Sequence, residues 1–285
     1  MRQKAPRALT TYISLIMLML ATLVTAVGLS GCVYGRDAYI IVAGSTSVQP
    51  YAEVLAEEFA RKFPEKSAID IQGGGSSAGI TAVESGTADI GMSSRDMKEA
   101  EGHLWTTVIA KDGLAIIVNP GNPIADLSRE QLRGIYAEEV TNWSELGGPD
   151  ARIHIIAREE GSGTRVAFED LVMGGYRITP RAIIQDSNGA VRQLVADDPH
   201  SIGFISLGLV EIGEKPVKAV KIDGVAATRE NVLGSSYSLY RSFLFVTERE
   251  PEPGGQVSNF IEFVFSDDGR RILSEEGLIT EDVRE

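Results

Sequence analysis

The glycines, hydroxyls and guanidinium groups that could do chemistry in this sequence gather in three short turns. These are Gly44-Ser45-Thr46-Ser47, Gly73-Gly74-Gly75-Ser76-Ser77 and Gly161-Ser162-Gly163-Thr164. Each follows a β-rich run and opens a helical one. A helix start leaves backbone N–H groups unpaired and carries partial positive charge. Small residues let an anion reach those N–H groups, and hydroxyls add neutral donors. Any one such turn is more readily explained by Ser or Thr capping its own helix. Three of them at strand carboxyl ends, where open α/β sheets hold ligands, point to an anion site. Arg158 and Arg165 flank the third turn, and a planar guanidinium suits a tetrahedral oxyanion. Arg158, just before the donors, is the expected ligand. Arg165 is left to pair across the cleft or to orient Glu159 or Glu160.

Two stricter patterns also fit the second turn. Residues 73–78 match the dinucleotide form G-x-G-x-x-A, but the next strand runs into Ser93 and Ser94 with no acid at its end to hold a ribose. Residues 75–79 match the nucleophile elbow G-x-S-x-G, and Ser77, Asp186 and His200 make a triad on paper. His200, however, lies in Asp197-Asp198-Pro199-His200, which reads as a polar turn. A secreted serine hydrolase using Ser77 or Ser162 stays a remote alternative. There is no His-x-His, no H-E-x-x-H and no cysteine pair, so no metal and no cofactor are expected. No Gly-Lys-Ser or Gly-Lys-Thr occurs, which argues against nucleotide hydrolysis. The expectation is a binding protein and not an enzyme.

The turns need strands before them and helices after them. Strands are expected at 39–42, 69–72, 88–92, 105–110, 113–118, 153–157, 182–185, 202–205, 219–222 and 238–247. Helices are expected at 48–63, 79–85, 128–136, 166–173, 188–196 and 257–276. Val48, Tyr51, Leu55, Phe59 and Phe63 make one apolar stripe on the first helix, and Pro64 stops it. Strands alternate with helices throughout, which defines an α/β protein.

The amino terminus stands apart from this pattern. Arg2, Lys4 and Arg7 precede an uncharged apolar run that ends in Leu29-Ser30-Gly31-Cys32. That is the layout of a signal peptide over residues 1–31. The last four residues resemble a lipobox, which would make Cys32, the chain's only cysteine, the lipidated first residue of the mature protein. An uncleaved anchor helix is the alternative, and both place the rest of the chain outside the cytoplasm. The 285 residues carry a net charge of −13, and loss of the leader leaves 24 basic against 40 acidic side chains, a net of −16. Such a surface repels nucleic acid and anionic lipid. An anion could bind only where local donors override that field.

Five segments, taken in order, resemble the phosphate-binding proteins of ABC transporters, the PstS family. They are GSTSVQP, GGGSSAGI, ADIGMSSR, REEGSGTR and SNGAVRQLVADDPHSIGFISLG. The resemblance runs from about Tyr39 to beyond Thr247. It implies the type 2 periplasmic-binding-protein fold, in which two α/β domains are joined by two crossing segments and the ligand lies between them. Here domain one would be residues 38–116 plus 246–285 and domain two residues 117–245, with the crossings inside strands 113–118 and 240–247. The resemblance places phosphate ligands at Thr46, Ser47, Ser76, Ser94, Arg158, Ser162, Gly163 and Thr164. It implies capture of inorganic phosphate outside the cytoplasm and delivery to the membrane permease of an ABC transporter, by a lipid-anchored monomer. Well-studied members carry an aspartate at the position of Ser94. That aspartate accepts the proton of hydrogen phosphate and helps reject sulfate. A serine can accept or donate and repels no dianion. Glu159, Glu160 or a water would have to supply the acceptor. A binding protein for sulfate, molybdate or tungstate is therefore the alternative reading. Arg95, beside Ser94, either adds positive charge or lies on the surface.

Overall fold

The computed structural model describes residues 40–65, 68–211, 213 and 215–280. The expected leader and Cys32 lie outside them. Among the described residues no helix is long and apolar enough to cross a membrane.

The chain opens with β1 (Ile40–Gly44), α1 (Gln49–Lys62), β2 (Ile69–Gly73), α2 (Ser76–Glu84) and β3 (Ile90–Ser93). A long strand β4 (Trp105–Val118) leads to β5 (Asp126–Leu127), α3 (Arg129–Tyr136) and β6 (His154–Arg158). Then come α4 (Gly163–Phe168), β7 (Ile183–Gln185), α5 (Asn188–Asp197) and β8 (Ser201–Ser206). The short β9 (Lys218–Ala219), β10 (Lys221–Ile222) and α6 (Arg229–Leu233) precede β11 (Tyr240–Thr247), α7 (Gln256–Val264) and α8 (Asp267–Glu275).

The main sheet has the order β2-β1-β3-β11-β4-β8-β6-β7, with β9 on β4. β1 lies parallel between β2 and β3, and β6 lies parallel between β7 and β8. Parallel neighbours need crossovers, which α1, α2, α4 and α5 supply. Between the two parallel sets run β11 and β4, antiparallel to each other. β4 joins the two sets. Its first part, through Gly113, pairs with β11, and Leu114 to Val118 pair with β8.

Strand alternation sorts the core. Ile40 and Val42 pack with Tyr51, Leu55, Phe59, Phe243, Phe245 and Phe260, while Ile41 and Ala43 face a second cluster with Ile80 and Val83. On β4, Leu114, Ile116 and Val118 pack with Tyr136, Trp143, Phe168 and Phe204, while Ala115 and Ile117 face Val191, Val195 and Ile205. Each strand set is thus covered by helices on both faces. The Phe168 and Phe204 rings stack at 4.2 Å between centroids.

Several expected boundaries move, each for a local reason. Residues 105–110 and 113–118 form one strand rather than two. Asp112, in the expected gap between them, is buried and paired within the sheet. The second helix begins at Ser76 rather than near Gly79. Gly75, at a φ of 90°, provides the turn before it that other residues rarely adopt. The helix expected from Val166 starts earlier, at Gly163, and finishes as a π-turn over Glu169–Met173. Residues 219–222 split into β9 and β10, which join different partners. The terminal helix breaks in two where the Ser266 side chain caps α8 by accepting from Gly269 N.

Candidate functional site

β1, β3 and β6 all deliver their carboxyl ends to one place. Thr46 and Ser47 follow β1, Ser94 follows β3, and Arg158 is the last residue of β6. Ser76 opens α2, Ser162 caps α4, and Gly163 and Thr164 are the first residues of α4. All eight residues singled out from the sequence therefore meet in one cluster. Ser47, Ser76, Ser94, Arg158, Ser162 and Thr164 are buried and Thr46 is half-buried.

The contacts within the cluster bridge the two parallel strand sets. Ser47 Oγ and Thr164 Oγ1 lie 2.8 Å apart, and Ser77 N donates to Gly161 O at 3.1 Å. Arg158 Nη2 donates to Thr46 Oγ1 at 3.1 Å. Ser45 Oγ donates to Ser94 Oγ at 2.8 Å, and Ser94 N donates to Ser76 Oγ at 3.1 Å. The approach is close enough to require glycine at one point: a Cβ on Gly163 would fall 2.3 Å from Ser76 Oγ and 2.7 Å from Ser94 Oγ. Ser162 Oγ accepts from Arg165 N as a helix cap, which leaves its hydroxyl hydrogen to be donated.

The charged groups are each held by a partner. Arg158 Nε and Nη2 both donate at 2.9 Å to the two oxygens of Glu159. Gln185 O and Asp186 O accept further bonds from it, while its Nη1 is buried with no partner among the described residues. Glu159 thus orients Arg158, and Glu160 is exposed. Arg165 does neither of the things expected of it. Its Nε donates to Glu169 and its Nη1 to the carbonyl of Arg158. Arg95 is not on the surface. It is buried in a two-point pair with Glu101, whose carboxyl that hydrogen bond holds below the usual carboxylate range.

Four further side chains reach the cluster without having been singled out. Asn188, the first residue of α5, donates from Nδ2 to Ser47 Oγ at 2.8 Å and to Thr46 Oγ1 at 3.4 Å. Arg241 on β11 donates from Nη2 to Ser47 Oγ at 3.2 Å and to Asp112 Oδ2 at 3.0 Å. Asp112 also accepts from Ser206 Oγ at 2.8 Å. Burial pushes the Asp112 carboxyl up and the Arg241 guanidinium down, each against the pull of the other. Arg241 Nη1, like Arg158 Nη1, is buried and unpartnered among the described residues. The signals were in the letters. Ser187-Asn188 is a fourth polar turn between strand and helix, and Asp112 and Arg241 are charges set inside apolar strands, where such residues are rare unless paired.

A buried unpaired N–H is costly, so two such guanidinium groups call for an acceptor. With the hydroxyls and the α2 and α4 starts, they gather at one place the kinds of hydrogen donor that suit an oxyanion. Among the described residues the triad of Ser77, Asp186 and His200 is not assembled. His154 pairs with Asp198, and His200 stands before β8, at the opposite end of that strand from Ser206. Among the described residues no group of three or more His, Cys, Asp or Glu is placed to hold a metal.

Residues 33–268 match the model of the PBP superfamily domain, so fold and site together define a substrate-binding protein of type 2 periplasmic-binding-protein architecture. The phosphate-binding protein PstS of Bacillus subtilis is 31% identical over 245 residues, covering 84% of this chain and 80% of the relative. A phosphate ABC transporter substrate-binding protein from Clostridium perfringens, solved with bound phosphate, superposes with a TM-score of 0.80 at 42% identity, covering 85% of this chain and 99% of that one. An ABC-type phosphate transport receptor from Vibrio cholerae gives 0.70 at 39% identity, over 84% and 99% of the two chains. The chain belongs to the PstS family of phosphate-binding proteins.

Proposed function

We propose that this protein binds inorganic phosphate in the cage formed by Thr46, Ser47, Ser76, Ser94, Arg158, Ser162, Gly163 and Thr164. It delivers that phosphate to the membrane permease of an ABC transporter. The observation that carries the reading is Arg158: a buried guanidinium, clamped by Glu159, with Nη2 on Thr46 Oγ1 and Nη1 buried and unpartnered among the described residues. The site has charge and donors for a tetrahedral dianion. Among the described residues its acids are already engaged, Glu159 with Arg158 and Asp112 with Arg241 and Ser206. The chain is strongly acidic, so the anion enters on local donors rather than on the overall field.

Binding is a hinge closure. Residues 38–116 with 246–285 form one domain and residues 117–245 the other. The apolar clusters support two lobes but favour an earlier passage on each crossing strand: on β4, Ala110 packs with the first set and Leu114 with the second, and on β11, Phe243 and Phe245 pack with the first. Neither domain alone holds every donor, since Thr46, Ser76 and Ser94 belong to one and Arg158 and Thr164 to the other. The protein works outside the cytoplasm as a monomer, tethered through a lipid on Cys32.

Calorimetry with phosphate, sulfate, molybdate and tungstate tests the reading. Phosphate is expected to bind at micromolar concentration or below. Tight tungstate binding with no phosphate binding would overturn it in favour of the other oxyanions.

A further inference from the structure

The two hydroxyls that follow β1 each receive two side-chain donors. Thr46 Oγ1 receives Arg158 Nη2 at 3.1 Å and Asn188 Nδ2 at 3.4 Å. Ser47 Oγ receives Asn188 Nδ2 at 2.8 Å and Arg241 Nη2 at 3.2 Å. A hydroxyl oxygen has two lone pairs and one hydrogen. With both lone pairs taken, each hydroxyl must give its hydrogen away.

The donors themselves cannot turn round. Arginine has no acceptor. Asn188 could in principle flip its amide, but its Oδ1 accepts from Ser206 N at 3.3 Å, and a backbone N–H can only donate. Its Nδ2 is therefore the end that faces Thr46 and Ser47. Arg241 is held by Asp112, and Asp112 by Ser206 Oγ. Both lines of constraint start at Ser206, the last residue of β8, and end on Ser47. Ser47 must then donate in the 2.8 Å contact with Thr164 Oγ1, or to an anion in its place.

We propose that Asn188, with Arg241 held by Asp112, is a positioning residue that sets Thr46 and Ser47 as hydrogen donors before the anion arrives. The inference rests on the phosphate-binding reading and deepens it. In an unbiased hydroxyl cluster, some orientations would present a lone pair to the anion. Here the hydroxyls meet it hydrogen first, with no reorganisation left to do. A purely structural Asn188 would serve only to hold Ser206 N and open α5.

The test is calorimetry with inorganic phosphate on the full chain and on Asn188→Asp, Asn188→Ala, Ser47→Ala and the Ser47→Ala/Asn188→Ala pair, alongside phosphate-free melting curves. Asn188→Asp keeps the acceptor for Ser206 N but turns the donor into a second acceptor, drawing the hydroxyl hydrogens away from the anion. It is expected to weaken phosphate binding about 100-fold, and Asn188→Ala about 10-fold. The Ser47 and Asn188 losses should not multiply, because Asn188 acts partly through Ser47. Should Asn188→Ala fail to fold, the same cycle is run with Asn188→Asp. Phosphate binding within about threefold of wild type in Asn188→Asp, or losses that multiply fully, would overturn the inference while the functional reading stands. A wild type that binds no phosphate overturns the functional reading, and this inference with it.

Discussion

Arg158 and Glu159 are adjacent in sequence yet grip each other at two points, Nε to Oε2 and Nη2 to Oε1, both at 2.9 Å. Neighbours in a strand point to opposite faces, so this pairing requires the strand to end between them. β6 does end at Arg158, and the chain turns so that Ser162 N donates to the carbonyl of Glu159. The pair fixes one edge of the guanidinium and leaves Nη1 for the site. The acid that looked like a replacement proton acceptor is engaged in aiming the cation.

Arg158→Ala is therefore expected to weaken phosphate binding about 10- to 100-fold, the worth of a hydrogen bond to a buried charged ligand. Arg158→Lys should do almost as badly. A lysine ammonium keeps the charge but cannot hold Glu159, two carbonyls and the anion in one plane. Calorimetric titration of both variants decides it. A lysine variant with wild-type affinity would mean that the fork geometry does not matter.

Gly163→Ala probes the close approach. The added methyl would meet Ser76 Oγ at 2.3 Å and Ser94 Oγ at 2.7 Å. Those serines belong to the other strand set, so the clash arises only when the two sides meet. Strain of about 1–3 kcal/mol on the closed form predicts roughly 5- to 150-fold weaker phosphate binding. Phosphate-free stability should be nearly unchanged. Small-angle scattering with saturating phosphate should show a more open particle than wild type under the same conditions.

The Asp112–Arg241 pair is buried at the point where β4 passes from one strand set to the other. Removing one partner strands a buried charge, so Asp112→Asn should cost about 3–5 kcal/mol in urea unfolding. Replacing both, as Asp112→Leu with Arg241→Met, should recover most of that stability, because a buried ion pair is often no better than apolar packing. It should not recover phosphate affinity, since Ser47 loses one of its two donors. Full stability in Asp112→Asn would refute a charged Arg241.

The strand-turn-helix units were legible because each turn is local: small polar residues after a β-branched run need nothing distant to explain them. Thr46, Ser76 and Ser162 could be found for that reason. What could not be read is what depends on partners far along the chain. The continuity of β4 through Asp112 is one such case, because its partner, Arg241, lies 129 residues away. Arg95 looked undecided because Glu101 holds it through a short 3-10 turn, and that turn has no sequence signal of its own. Asn188 opens a helix, and a polar residue there reads first as part of the cap. Its second role appears only when β8 brings Ser206 to its carbonyl oxygen.

Ser94 is where the choice between anions can be tested. Its Oγ accepts from Ser45 Oγ at 2.8 Å and sits 3.4 Å from Ser76 Oγ, with no carboxylate bonded to it. At near-neutral pH hydrogen phosphate carries a proton and sulfate does not. A carboxylate at this point would accept that proton but would repel a dianion that has none to give. Ser94→Asp is thus expected to raise the ratio of phosphate to sulfate affinity at least about tenfold, a like-charge contact being worth several kcal/mol. Absolute phosphate affinity should fall, because the larger side chain crowds Ser45 and Ser76. The ratio, measured by competition between the two anions, is insensitive to that crowding. An unchanged ratio would mean that position 94 does not face the proton, and that selectivity is set elsewhere in the cage.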